Sequence, residues 1–263
     1  FYMITFFQAL ILGVVEGITE FLPISSTAHL DITSKLLGIT PSSFSSSFLI
    51  VIQLGAISAV AILFLKQIVF SRDLILKMII GFLPIALVGF LVYPIVKHVL
   101  LGNILVEIIA IAVGGLAFLY FGNTFSNSSV KISHSNEQKE LSKFEYFKLG
   151  CWQILALIPG ISRSGSILIG GLVQNLPIGN VVNAAFLIAI PTIFAASGYD
   201  LLKTGFSFTQ HEWIILLFGT VVSALVAFFI ARFFMKLMKK PSTLKLFGWY
   251  RIALAIILAI IFF

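Results

Sequence analysis

Eight apolar stretches, at about residues 5–24, 48–65, 74–96, 104–122, 149–175, 181–202, 213–235 and 246–263, follow one another along the chain with polar breaks between them. Several are long enough to cross a bilayer as single helices, because about 20 apolar residues at 1.5 Å each cover its hydrocarbon core. With 59% hydrophobic side chains and 10% charged ones over 263 residues, no soluble domain accounts for the pattern. The expected class is an all-α integral membrane protein. The lone Cys151 leaves no intramolecular disulfide, and no Cys/His spacing marks a zinc site. No basic segment followed by a small-residue cleavage site opens the chain, so its first stretch reads as part of the mature protein.

A formal charge of +7 would suit a nucleic-acid partner, but its distribution points to membrane topology and no nucleic acid is expected. Thirteen of the seventeen basic residues fall in three breaks: Lys66, Arg72 and Lys77; Lys131, Lys139, Lys143 and Lys148; and Arg232, Lys236, Lys239, Lys240, Lys245 and Arg251. The positive-inside bias assigns all three to the cytoplasm. That holds together only if the 149–175 segment enters and leaves the membrane on one side. A re-entrant segment and about six transmembrane helices follow.

The polar stretch from Ser126 to Tyr146 reads as a cytoplasmic loop between two halves of a single membrane domain, at about 5–125 and 148–263. The halves echo each other. With Gly13 set against Gly150, "GVVEGITEFLPISSTAHL" aligns with "GCWQILALIPGISRSGSI", pairing Glu16 with Gln153, Ser25 with Ser162 and Thr27 with Ser164. A proline precedes Ile-Ser in both. An interrupted hydrophobic segment at the same place in each half predicts an inverted-topology repeat with two re-entrant helix hairpins, whose tips meet within the membrane.

The polar groups concentrate at these interruptions. Glu16 and Glu20 lie one helical turn apart on one face, and Arg163 stands alone in its apolar segment. Three ionised groups in lipid cost on the order of 8–10 kcal/mol, so they should face a polar cavity. One salt bridge to Arg163 leaves a second carboxylate over, which a divalent cation with oxygen ligands would neutralise. Pro23 and Pro159 should each end a half-helix. The next half-helix then starts at a Ser/Thr run, where free N–H groups and the positive dipole end favour anions. Any one of Ser25, Ser26, Thr27, Ser162, Ser164 or Ser166 taken alone is an N-cap. Two such starts, one arginine, two carboxylates and His29 together suit a phosphate or diphosphate. Glu107 lies inside an apolar segment without an assigned role, while Asp200, His98 and His211 read as interfacial.

These residues make the chain resemble the undecaprenyl-diphosphate phosphatases of the bacitracin-resistance type, over essentially its whole length. The first family motif appears as "EGITEFLPISSTAH", with Ala28 in place of glycine, and the second as "PGISRSGSI"; "VIQLGAI" at 51–57 and "YRI" at 250–252 also look like family segments. The resemblance implies a bacterial inner-membrane enzyme that removes the terminal phosphate of a polyprenyl diphosphate and regenerates the carrier lipid for peptidoglycan. It also implies a site opening to the periplasm and dependence on Mg2+ or Ca2+. Carried residue by residue, Glu16 and Glu20 would bind the metal, with Glu20 also positioning the nucleophile. Ser26 would attack phosphorus or orient water, His29 would donate a proton, and Arg163 would bind phosphate. Ser25, Thr27, Gly160, Ser162, Ser164, Gly165 and Ser166 would be its supporting phosphate contacts. The expected partners are the lipid substrate and membrane lipids, with a homodimer left open. A polyprenyl-phosphate flippase or transporter using the same site without hydrolysis is the alternative; it needs no acidic pair beside hydroxyls. Ile167 stands where the second motif ends in threonine, and Asn183 and Ala185 stand where relatives carry glutamate and serine. These departures bear on the polar lining of the second half.

Overall fold

A computed structural model describes residues 4–96, 100, 102–127, 140–204, 207–238 and 243–263. Most of the expected inter-half loop, with Lys131 and Lys139, lies outside the described residues, as do His98, Lys239 and Lys240.

Among the described residues the protein is all-helical. The first half holds α1 (Phe6–Thr19), α2 (Ser26–Leu36), α3 (Ser43–Val51), α4 (Gln53–Phe70), α5 (Arg72–Ile95) and α6 (Ile104–Asn127). The second holds α7 (Lys143–Gln153), a 3₁₀ turn (Ile154–Leu157), α8 (Arg163–Val173), α9 (Ile178–Thr204), α10 (Gln210–Leu237) and α11 (Thr243–Phe262). Helix starts follow from local chemistry. Thr5 with Gln8, Ser42 with Ser45, Ser142 with Glu145 and Thr209 with Glu212 each form a reciprocal capping box that satisfies first-turn N–H groups. The Ser42 cap makes helix of a serine-rich stretch that the sequence reading left as a polar break. The buried Ser45 donates to the Ser42 and Thr40 carbonyls, so its hydroxyl does not oppose burial. Ile52 ends α3 and starts α4 with helical angles, which makes 43–70 one membrane-length segment.

Among the described residues six segments are long and apolar enough to cross a membrane: Ser43–Phe70, Arg72–Val92, Ile104–Asn123, Ile178–Thr204, Gln210–Leu237 and Thr243–Phe262. Their outer faces carry exposed Phe70, Phe90, Leu91, Phe229 and Ile260, a surface that only lipid tolerates over such an extent. This is a multi-pass membrane protein. By contrast α1, α2, α7 and α8 are short. The 11 residues of α8 span about 16 Å, roughly half the hydrocarbon core. In each half the two short helices pack on each other across the proline break.

The packing partners exchange between halves. Helix α1 lies on α10 while α7 lies on α5, and α4 lies on α10 while α9 lies on α5; α6 meets α11 and α4 meets α9. Close approach depends on glycine: a Cβ on Gly150 would stand 2.1 Å from the Gly81 carbonyl oxygen, and one on Gly55 2.0 Å from that of Thr220. Phe21, just past α1, packs edge-on against Phe186 of α9 with centroids 5.0 Å apart, which ties the first break to the core.

Candidate active site

The two breaks meet, and their polar residues form one cluster. Helical bonding runs on to Glu20, whose N–H donates to the Glu16 carbonyl at 3.0 Å, so both carboxylates stay on one face as their spacing predicts. Both residues are buried. The chain then turns through Phe21–Ile24, and α2 starts at Ser26. In the other half Pro159 and Gly160 turn the chain between the 3₁₀ turn and α8, with Gly160 at φ +93°, a conformation suited to glycine. A Cβ at Gly160 would strike the Glu107 backbone at 2.6 Å, so this tip is seated on α6.

Glu20 is the junction. Arg163 at the start of α8 pairs with its Oε1, and the Ser26 hydroxyl donates to its Oε2 at 2.5 Å. The tips are also joined by the Ser164 hydroxyl, which donates to the Leu22 carbonyl at 3.2 Å, with Ser162 beside it at 3.1 Å. Glu16 is the carboxylate left over. It is fully buried, and neither oxygen has a hydrogen-bond partner.

The two helix starts differ. Ser162 is a true N-cap that accepts from the Gly165 N–H at 3.2 Å, and Ser166 donates to the Ser162 carbonyl at 3.0 Å. Both hydroxyls therefore serve the backbone of α8. Ser25 makes no cap bond and sits at φ +71°, rare for a residue with a Cβ. This leaves the first turn of α2, with Ser26 and the half-buried Thr27, as the helix start that no side chain caps. Ile167 is fully buried in the core, and Asn183 is exposed, so neither departure from the motif removes a group from the cluster around Glu20.

His29 holds two partners. Its Nδ1 lies 2.7 Å from the Ser25 carbonyl, which accepts only, so Nδ1 carries the proton. Its Nε2, 2.7 Å from the Tyr250 hydroxyl, then accepts from Tyr250, and the rings stack with 9° between planes.

The sequence reading missed Tyr250 as a contact and placed Arg251 with the cytoplasmic bases. Arg251 instead is 1% exposed. It donates to the carbonyls of Pro23 (3.1 Å), Gly160 (2.8 Å), Ala110 (3.1 Å) and Ile111 (3.1 Å). Gly114 makes room: a Cβ there would lie 2.3 Å from the guanidinium. The signal was present, since Arg251 falls inside the 246–263 apolar run, where a charge must find partners in the protein interior. Lys77 likewise is buried at the start of α5, where it pairs with Asp73 at 2.8 Å and Glu140 at 3.2 Å. Glu107 is fully buried beside the Asp31 carboxyl group, with Lys35 in electrostatic reach. It stands apart from the contacts made by Glu20.

Residues 9–257 match the bacitracin resistance protein BacA family. Among similar proteins are the undecaprenyl-diphosphatases of Aquifex aeolicus, 42% identical over 98% of this chain and 99% of its own, and of Flavobacterium psychrophilum, 37% identical over 98% and 96%. That of Persephonella marina is 39% identical over 95% and 96%. With the match running nearly end to end, the chain belongs to the bacitracin resistance protein BacA family.

Proposed function

We propose that this protein is an undecaprenyl-diphosphate phosphatase of the bacterial inner membrane, hydrolysing the lipid diphosphate to its monophosphate and inorganic phosphate. The observation that carries this reading is the hydrogen bond from Ser26 to a carboxylate that an arginine holds from its other side. A candidate nucleophile and a phosphate-binding cation are thereby joined through one proton acceptor. A lipid transporter needs anion-binding dipoles and Arg163 but has no use for a hydroxyl bonded to a carboxylate. The names carried by the relatives favour hydrolysis as well.

In this mechanism the terminal phosphate lies at the open first turn of α2, against the guanidinium N–H groups of Arg163 that Glu20 does not occupy. Ser26 Oγ passes its proton to Glu20 and attacks the terminal phosphorus. The bond to the bridging oxygen breaks, and the lipid monophosphate departs. Glu20 gives that proton to the departing monophosphate. Water then passes a proton to Glu20 while its oxygen attacks phosphorus, the Ser26 Oγ–phosphorus bond breaks, and Oγ takes the proton back from Glu20 as inorganic phosphate leaves. Catalysis is mostly placement and charge neutralisation, which dominate phosphoryl transfer.

The residues present fit a divalent cation. Glu16 offers two buried oxygens without partners, and hard carboxylate oxygens suit Mg2+ or Ca2+. Glu20 contributes whatever lone pairs Ser26 and Arg163 leave. Since no cluster of three or more His, Cys, Asp or Glu residues stands ready to hold a metal among the described residues, hydroxyls, water and substrate phosphate would complete the shell. When bound, the cation supplies charge to offset the phosphate oxygens. The short helices α1 with α2 and α7 with α8 are read as re-entrant hairpins, with the site opening to the periplasm.

Phosphate release from undecaprenyl diphosphate by the purified protein in detergent tests the proposal. Release is expected with Mg2+ or Ca2+, is lost on chelation and is lost in Ser26→Ala. Absence of release from folded wild-type protein would overturn the hydrolytic reading and bring transport forward.

A further inference from the structure

Resting on the phosphatase reading, we infer that Tyr250 and Arg251 of α11 are positioning residues that set the active-site geometry from outside it. Among the described residues, neither is hydrogen-bonded to the side chain of Glu20, Ser26 or Arg163. Each instead holds the backbone that carries them.

Arg251 has one planar guanidinium and joins both breaks with it. The Pro23 carbonyl lies three residues before Ser26, and the Gly160 carbonyl three residues before Arg163. A rigid fork bonded to both fixes the distance between the start of α2 and the start of α8, and hence between nucleophile and phosphate-binding arginine. The carbonyls of Ala110 and Ile111 anchor the same fork to α6. These four oxygens neutralise no charge, yet the cation is almost wholly buried among them. A group this costly to desolvate has its use in geometry, since an apolar side chain would fill the space between α6 and α11 at lower cost.

Tyr250, the preceding residue, acts on the same turn by another route. Its hydroxyl holds His29 Nε2, which directs the Nδ1 proton to the Ser25 carbonyl. Ser25 is the residue held at φ +71°. Its carbonyl is pinned by a side chain one turn further along α2, so the strained conformation that aims Ser26 at Glu20 is maintained from α11. His29 in this role is a link rather than a proton donor, which alters the expectation drawn from its family match.

The inference predicts a change in turnover without a matching change in fold or substrate binding. Purified Arg251→Lys and Tyr250→Phe are compared with wild type for kcat, KM, thermal midpoint and hydrogen exchange. Lysine keeps the charge but has three donors on one atom, so it cannot reproduce the four spread bonds of the planar fork. Arg251→Lys should lower kcat at least about 30-fold with KM within about 3-fold. Tyr250→Phe should lower kcat about 10-fold with its thermal midpoint unchanged. In Arg251→Lys, exchange should rise together in 20–28 and 158–166, and not in α6 and α11 alone.

A lowered midpoint with wild-type kcat and quiet tips would make Arg251 a brace of α6 and α11 only and overturn the inference. If Arg251→Lys fails to fold, Tyr250→Phe decides: wild-type kcat in that variant refutes the positioning role. The exchange measurement needs no activity. Wild-type protein that releases no phosphate therefore sinks the phosphatase reading alone, and the coupling of the two tips is still judged.

Discussion

Arg163 and Glu20, 143 residues apart in sequence, pair where the two interrupted segments meet. The pair joins the charged end of one half to that of the other, and the same carboxylate accepts the Ser26 proton. In the proposed mechanism, loss of the charge acts on nucleophile and phosphate site at once. Glu20→Gln should reduce kcat by about 10³-fold or more, since an amide neither accepts the proton nor balances Arg163. Phosphate release at saturating substrate checks this, with the thermal midpoint as control.

Glu16 should separate stability from activity. Its carboxylate is buried with no hydrogen-bond partner, so the fold gains when the charge is removed. Glu16→Gln is expected to raise the thermal midpoint by a few degrees, about 1 kcal/mol, measured without divalent cation. In the same variant the Mg2+ concentration needed for half-maximal phosphate release should rise by about tenfold or more. A lowered midpoint would show that Glu16 has a partner in the folded protein.

Ser25 carries backbone strain that its side chain does not relieve. Glycine adopts φ +71° without the Cβ penalty, so Ser25→Gly should be neutral or stabilising by up to about 1 kcal/mol. Turnover should fall all the same, because freedom at this residue loosens the aim of Ser26. Chemical unfolding and kcat, measured on one preparation, test both halves of the statement.

Gly150 is expected to be intolerant of even one methyl group. The added Cβ would lie 2.1 Å from the Gly81 carbonyl oxygen, a backbone atom that cannot swing aside. Gly150→Ala should cost about 3 kcal/mol or more by forcing α7 from α5, seen as a loss of well over 5 °C in thermal midpoint. Gly179→Ala, which meets nothing within 4 Å, is the matched control.

Much of this architecture was legible in the residues because it follows from solvent. A bilayer demands long apolar helices, so hydropathy alone located the spans, and the cost of charge in lipid picked out Glu16, Glu20 and Arg163. Periodicity put the two carboxylates on one face, and their leftover charge was countable before any coordinates. Other contacts depend on chain reversal over long distances, which local pattern does not encode. Arg251 counted with the basic loop although its place inside an apolar run marked it for burial; which carbonyls it meets leaves no mark in a sequence. The ties of His29, to the Ser25 carbonyl and to a tyrosine 221 residues away, are equally invisible to local pattern. The helical serines at 43–47 were read as a break since their hydroxyls close on their own backbone.

The exchange of partners between the halves bears on how the protein comes into being. Helix α1 is synthesised before α10 and α11, yet the surface it lies on belongs to α10, and the side chains that bond Pro23 and His29 just after it belong to α11. A nascent chain still lacking α11 has Glu20, Ser26 and Arg163 but not the guanidinium that bonds the backbone of both tips. On the positioning role inferred for Arg251, hydrolysis at full rate waits until α11 is in place.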